Sequence, residues 1–363
     1  MELKGKKVLV VGFGKTGKAL TSFLLDRGAT VTVNDSKTRD KIGESLCPFE
    51  NNGARFVLGS HPGEIFLRSE LIVISPGVNP NLIPLIQARQ KGIPVISEIE
   101  LASRFIHSPI IGIAGTNGKS TTAALIAEIL SCSGLSVFIG GNIGTPLINF
   151  VQEDIKAHFL VVELSSFQLE TIEQFTPYIA ILLNITEDHL DRYSSFSLYC
   201  EAKFRIFMNQ TERDFALINR DDEACRLIMP SLTAHVLPFS RQKFTGNGMY
   251  SNGRSLYYQK ENGSRHVYSL TNVKLLGSHN QENMLAAIGA AELCGCPQEK
   301  IQQSLEKFSG LSHRIEYVQK INGVSFYNDS KATNIDSLLH ALQSFPGNII
   351  LIAGGREKGG DYR

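Results

Sequence analysis

The chain has 363 residues, with 36 Lys and Arg against 35 Asp and Glu, a formal net charge of +1 and no tryptophan. Apolar residues make up 42% and charged residues 20%, an ordinary globular balance that excludes a disordered chain and a fibrous repeat. The near-neutral charge argues against nucleic acid as a main partner, and no stretch reaches the roughly 18 apolar residues of a membrane helix.

The start, MELKGKKVLVVGFG, passes from charge into a short apolar run and then glycines, without the apolar core or cleavage site of a signal peptide. Val8 to Val11 and Thr30 to Val33 read as strands, with Ala19, Leu20, Phe23 and Leu24 on one face of the helix between them. Strands at Leu71 to Ile74 and Pro94 to Ile96 flank a helix over Leu82 to Lys91. Strands alternating with helices predict a parallel sheet covered on both faces, ending near Arg104 to Pro109.

A second α/β pattern follows, with strands at Ile110 to Ala114, Val137 to Ile139, Phe159 to Glu163, Tyr178 to Leu183 and Ala216 to Ile218. Between Phe239 and Leu276, short strands separated by Gly, Asn and Ser turns predict a small antiparallel insertion. Helices resume at Asn280 to Cys294 and Gln298 to Phe308. A third α/β pattern begins after Gly310, with strands at Val324 to Tyr327 and Asn348 to Ala353 around a helix over Ile335 to Phe345. The six cysteines are scattered, and Cys294-Gly295-Cys296 has no zinc or redox spacing, so reduced thiols in a cytoplasmic protein are expected.

Two glycine loops carry chemistry. Gly12-Phe13-Gly14-Lys15-Thr16-Gly17 follows a strand and opens a helix, and Asp35 closes the next strand 18 residues after Gly17. Such a loop sets a diphosphate against backbone N–H groups at a helix N-terminus. By itself it fits a dinucleotide site of a hydride-transfer enzyme, or a tight turn with no ligand. The second loop, Gly115-Thr116-Asn117-Gly118-Lys119-Ser120-Thr121, joins a buried strand to a helix as a phosphate-binding P-loop does, although Ile113 stands where the first glycine belongs. Its Lys would reach the terminal phosphates and its hydroxyl a Mg²⁺ ion. Glu163 and His189 stand at or just beyond the carboxyl ends of other strands, where open α/β sheets bind ligands. A lone His is more often a surface or hydrogen-bonded residue.

In order along nearly the whole chain stand GFGKTG, SPGVNP, GTNGKST, GGNIG, ELSSFQLE, LNITEDHLDRY, EAKFRIF, GSHNQEN, LSHRIE, NDSKATN and AGGREKGG. On these stretches the sequence resembles the Mur ligase family, and within it the D-glutamate-adding enzymes. The resemblance implies three domains: a Rossmann-like domain over 1–108 for a UDP-linked substrate, a central P-loop ATPase-like domain over 109–310, and part of a Rossmann-like amino-acid-binding domain over 311–363. It turns the first glycine loop into a UDP site without nicotinamide. It also implies ATP as co-substrate and two Mg²⁺ sites; no nucleic-acid or membrane partner, from the charge and apolar pattern, and a monomer are the accompanying expectations.

Carried over residue by residue, Gly115, Thr116, Asn117, Gly118, Lys119, Ser120 and Thr121 would surround the ATP phosphates. Asn280, Asn283, Arg314, Asp329 and Lys331 would complete the ATP site. Ser120 and Glu163 would hold one Mg²⁺, and His189 with a carbamylated Lys203 a second. EAKFRIF by itself reads as an unmodified helical lysine, but apolar neighbours Phe204, Ile206 and Phe207 could lower the Lys pKa from about 10.4 toward the neutral amine that carbamylation needs. Gly14, Lys15, Thr16, Asp35, Ser75, Pro76, Gly77 and Asn79 would lie near the UDP moiety and Asn142 near the muramoyl end. His313, Thr333 and Lys358 would neighbour the incoming amino acid.

The implied reaction joins D-glutamate to UDP-N-acetylmuramoyl-L-alanine through an acyl phosphate, in peptidoglycan precursor synthesis. Another ligase of the same type, such as a folylpolyglutamate synthase, and a nucleotide-dependent dehydrogenase are the competing expectations. Family members carry a complete third domain, and the roughly 50 residues after Gly310 would hardly bury a core. Weak or absent amide formation with retained UDP-substrate binding is the corresponding expectation.

Overall fold

The computed structural model describes residues 1–355 except 143, 190–191, 276, 333–334 and 346, and only the backbone of 336 and 340. Its strands are β1 (Lys7–Val11), β2 (Thr30–Asp35), β3 (Arg55–Leu58), β4 (Leu71–Ile74), β5 (Val95–Ser97), β6 (Ile110–Ala114), β7 (Val137–Gly141) and β8 (Phe159–Glu163). They continue as β9 (Ile179–Leu182), β10 (Phe215–Asn219), β11 (His235–Ser240), β12 (Gly248–Ser251), β13 (Ser255–Gln259), β14 (Arg265–Ser269), β15 (Glu316–Ile321) and β16 (Val324–Asn328). The chain folds as two compact units, residues 1–109 with 138–176 and residues 110–137 with 177–363.

In the first unit, β3-β2-β1-β4-β5 form a parallel sheet with Val10 opposite both Val33 and Val73. Strand β4 is buried along its whole length, as expected where helices cover both faces. Leu9, Val11, Phe66, Ile72, Ile74, Leu85, Ala88 and Val95 make one core cluster. The strand order reverses at β1 and β4, the crevice where such sheets bind ligands. There the Ser75 hydroxyl donates to the Gly12 carbonyl at 3.0 Å. Helix Lys15–Asp26 starts so close to β1 that a Cβ on Gly17 would stand 1.9 Å from the Gly12 oxygen. Glycine is required there.

The same unit contains β7 and β8 as neighbours, and helix Leu147–Gln152 packs on helices Lys15–Asp26 and Glu98–Ser103. Glu100, fully buried, accepts the backbone N–H groups of Glu173, Gln174 and Phe175 on Oε2 at 2.9, 3.0 and 2.9 Å. Its Oε1 receives Arg104 Nε at 2.8 Å.

The second unit orders its main strands β14-β13-β12-β11-β10-β9-β6. Neighbours from β6 to β12 run parallel, whereas β12-β13 and β13-β14 are antiparallel. The predicted insertion is thus an antiparallel extension of the sheet itself. Helix Ser278–Leu293 buries every residue from Met284 to Ala291 and packs on helix Lys119–Cys132. Further on, β15 and β16 form an antiparallel hairpin, followed by helix Ile335–Gln343.

Two local expectations need correction. Residues 348–353 form no strand, and Ile350 and Ile352 are 87% and 93% exposed. A strand requires a partner for its backbone groups, and none among the described residues pairs with this run. The expected first strand of this segment is the second arm of a hairpin, because the β15 residues lack the apolar run that marks a buried strand.

Candidate functional site

The fully buried strand β6 runs into Gly115, and helix Lys119–Cys132 begins just after Gly118. Gly118 has φ +86°, and a Cβ on it would stand 2.2 Å from Asn283 Oδ1. The loop is tied to the end of β9. Thr116 N–H donates to the Asn184 carbonyl at 2.9 Å, Asn117 N–H donates to Asn184 Oδ1 at 2.8 Å, and Asn184 Nδ2 donates to the Asn117 carbonyl at 3.2 Å. Thr116 Oγ1 accepts Thr186 N–H at 3.1 Å and meets the Tyr199 hydroxyl at 3.2 Å. Burial pushes that hydroxyl up to about 12.

Lys119 Nζ donates to the carbonyls of Gly115 and Thr116, both at 2.8 Å. Lys203, 2% exposed, also reaches Gly115 O at 2.8 Å, with its Nζ 4.6 Å from the centre of the Tyr199 ring. Burial first, and the nearby Lys119 charge second, push the Lys203 amine well below the usual lysine range. His189 has φ +55°, donates its N–H to Asp188 Oδ1 at 2.9 Å and lies edge-on to Tyr199, ring centres 6.3 Å apart.

A cavity within this unit is lined by Asn117, Gly118, Thr121, Asn280, Asn283, Arg314 and Asp329, seven of the residues expected at an ATP site. Gly115, Thr116, Lys119, Ser120 and Lys331 are not among its lining residues, and neither is His313. Asn283 Nδ2 donates to Asn280 Oδ1 at 3.0 Å, and Thr122 Oγ1 donates to Asn283 Oδ1 at 3.2 Å. Arg314 Nε is buried without a hydrogen-bond partner among the described residues. Asp329 accepts Ile315 N–H at 3.0 Å; its carboxyl is raised by burial, against the opposing pull of that N–H and of Arg314. His313 meets Asn328 Nδ2 at 2.7 Å, and its carbonyl accepts Lys331 N–H at 3.2 Å.

In the first unit, Asp35 Oδ2 accepts Phe13 N–H at 2.7 Å and Oδ1 accepts Lys37 N–H at 2.8 Å, so the carboxylate is fixed beside the first glycine loop. Gly14 and Lys15 are exposed at the helix start and Thr16 is half-buried. Lys15 Nζ donates to the Gly144 carbonyl, which joins GFGKTG to GGNIG. Gly77 and Asn79 are exposed past β4, and Asn79 Oδ1 accepts Asn81 N–H at 2.9 Å. Asn142 Nδ2 donates to Glu163 Oε1 at 3.3 Å, and its N–H to the Glu163 carbonyl at 2.8 Å; Glu163 is 4% exposed. Thr333 and Lys358 lie outside the described residues.

Sequence reasoning missed several of these groups. Asn184 is marked only by its place at a strand end. Arg241, which pairs with Glu282 at 2.8 Å in the cavity wall, and Ser337, which donates to Asn117 Oδ1 at 2.8 Å, carry no spacing signal. Glu98, 1% exposed, accepts Ile148 N–H at 2.7 Å just past the GGNIG loop.

A strand, a glycine loop closing on Gly-Lys-Ser and a helix, with ligand-facing polar groups at the carboxyl ends of parallel strands, define an α/β nucleotide-binding protein. A family profile described as Mur ligase middle domain matches residues 113–291, and one described as Mur ligase MurD-like, N-terminal domain, matches 6–97. A UDP-N-acetylmuramoylalanine--D-glutamate ligase of Geotalea daltonii is 46% identical over 362 residues, covering 100% of this chain and 80% of that protein. Its namesake in Desulfatibacillum aliphaticivorans is 45% identical over 364 residues, covering 100% and 81%. Among solved structures, the UDP-N-acetylmuramate-alanine ligase MurC of Thermotoga maritima has a TM-score of 0.55 at 21% identity, covering 93% of this chain and 77% of that one. The MurF ligase of the same organism, in complex with ADP, has a TM-score of 0.56 at 18% identity, covering 95% and 74%. The chain belongs to the Mur ligase family, whose members are ATP-dependent ligases. Hydride transfer at the first glycine loop is thereby set aside.

Proposed function

We propose that this chain joins the amine of D-glutamate to the L-alanine carboxylate of UDP-N-acetylmuramoyl-L-alanine, with ATP as co-substrate, in cytoplasmic synthesis of the cell-wall precursor. The observation that carries the ATP half is the cavity where Asn117, Gly118, Asn280, Asn283 and Arg314 meet, with the buried Arg314 Nε aligned to no protein acceptor among the described residues. A donor in that state is suited to an anionic ligand. The acceptor half rests on the GFGKTG loop at the strand-order reversal, with Asp35 held by two backbone N–H groups.

The alanyl carboxylate attacks the γ-phosphate, ADP leaves, and the D-glutamate amine then attacks the acyl phosphate, releasing phosphate as the amide forms. The first step brings two anions together. Lys119, already turned onto its own loop, supplies a cation to the phosphates, and the N-terminus of helix Lys119–Cys132 adds its dipole. Arg314 donates to a phosphate oxygen, and Asn280 with Asn283 orients the nucleotide. We assign the UDP moiety to Gly14, Lys15, Thr16, Asp35, Ser75, Gly77 and Asn79, the muramoyl end to Asn142, and the amino acid to the surroundings of His313, Thr333 and Lys358. Holding the reactants together lowers the entropic part of the barrier.

Three of the four donors suit Mg²⁺, since a hydroxyl, a carboxylate and a carbamate are hard oxygen ligands, with the His189 imidazole the one nitrogen donor beside them; Mg²⁺ sites combine few protein groups with substrate phosphates. The buried, pKa-lowered Lys203 fits a neutral amine that can take up CO₂. Ser120, Glu163, His189 and carbamylated Lys203 are the ligands we assign, to two ions. When bound, Mg²⁺ screens phosphate charge during the first step.

We retain three domains, 1–108, 109–310 and 311–363, and a monomer. ADP release with UDP-N-acetylmuramoyl-L-alanine and each of D-glutamate, L-glutamate, L-alanine and a diamino acid tests the assignment. Release that depends on D-glutamate supports it.

A further inference from the structure

The Ser337 hydroxyl donates a 2.8 Å hydrogen bond to Asn117 Oδ1. Asn117 is a P-loop residue whose main chain is clamped at both N–H and carbonyl by the side chain of Asn184, at 2.8 and 3.2 Å. With its backbone fixed at the end of β9, its amide group extends to the third residue of helix Ile335–Gln343. Both residues line the cavity, on walls 220 residues apart in sequence.

We propose that Ser337 is a positioning residue that latches helix Ile335–Gln343 to the P-loop, so that nucleotide binding and docking of the segment after Gly310 reinforce each other. The inference rests on the ATP reading of the cavity. A nucleotide there touches Gly118 and Asn283 on one wall and Arg314 and Asp329 on the other. Any bond that holds the walls together raises its affinity, and by linkage the nucleotide strengthens the bond. Asn117 and Ser337 make such a bond through side chains alone, so it can be removed without altering the backbone of the loop. A neutral side-chain pair of this kind contributes a factor of about three to ten in binding.

The test measures binding of the β,γ-imido analogue of ATP with Mg²⁺ by calorimetry, together with hydrogen exchange of the hairpin Glu316 to Asn328. Ser337→Ala is expected to weaken the analogue about three- to tenfold and to abolish the extra exchange protection that it gives the hairpin. Ser337→Thr keeps the hydroxyl and should restore both. Ser337→Ala combined with Asn117→Ala should bind no worse than Asn117→Ala alone. Unchanged affinity in Ser337→Ala, failure of Thr to rescue, or additive losses in the double variant would overturn the latch. An unmodified chain that binds no analogue at all would overturn the ATP reading itself, which separates the two failures.

Discussion

Lys203 Nζ lies 2.8 Å from the Gly115 carbonyl, at the same oxygen that Lys119 Nζ reaches. Two lysines on one acceptor cannot both keep their protons comfortably when one of them is 2% exposed, and Lys203 is the one driven toward the neutral amine. Labelling with ¹³C-bicarbonate should give a carbamate carbonyl signal that is lost in Lys203→Arg. That variant should lose roughly 10²–10³-fold in kcat, the scale of removing one group that stabilises transition-state charge. A signal that persists in Lys203→Arg would place the carbamate elsewhere.

Gly118 meets two constraints at once, a φ of +86° and the Asn283 Oδ1 atom 2.2 Å from a Cβ built on it. Gly118→Ala should therefore weaken ATP binding by about tenfold or more, from αL strain of roughly 1–2 kcal/mol plus displacement of Asn283. Binding of the UDP-linked substrate should be unchanged. Calorimetry with each ligand separately checks both halves.

The P-loop was legible because it is a local pattern, a loop of fixed length at a strand end, whereas Asn280 and Asn283 stood out only through the resemblance carried by GSHNQEN. The parallel sheets were legible from continuous apolar runs such as Leu71 to Ile74. Asn184, Arg241 and Ser337 were not, since each matters through a partner far away in sequence, 67 residues away for Asn117–Asn184 and 220 for Asn117–Ser337. Residues 348–353 misled for the opposite reason. An apolar run shows that a strand is possible, but pairing decides whether it forms.

Burial raises the Glu98 carboxyl from 4.5 to about 7, while N–H groups of Ile148 and Leu147 pull it down. A folded-state pKa above the unfolded one means a stabilising contribution fully present below about pH 4.5 and lost as pH rises through about 7. The loss is on the order of 3 kcal/mol by linkage. Glu98→Gln has no such group to ionise, so denaturant unfolding at pH 5 and pH 8 should show wild type losing stability relative to the variant at the higher pH. An equal difference at both values would contradict the assignment.

Glu100 gathers three backbone N–H groups and Arg104 onto one buried carboxylate. Glu100→Ala should cost about 3–5 kcal/mol, since it leaves Arg104 and those N–H groups without their acceptor. Glu100→Gln should cost less, because it keeps an oxygen for part of the set. Urea unfolding of the two variants gives the comparison.

The central claim is that the two glycine loops serve one amide-forming reaction with a D-amino acid. Its most direct measurement is ADP release by the purified chain, with Mg²⁺, ATP and UDP-N-acetylmuramoyl-L-alanine, upon addition of each candidate amino acid. The account predicts release stimulated by D-glutamate and by none of L-glutamate, L-alanine or a diamino acid. Equal stimulation by L-glutamate, or stimulation by another of these in place of D-glutamate, would contradict it.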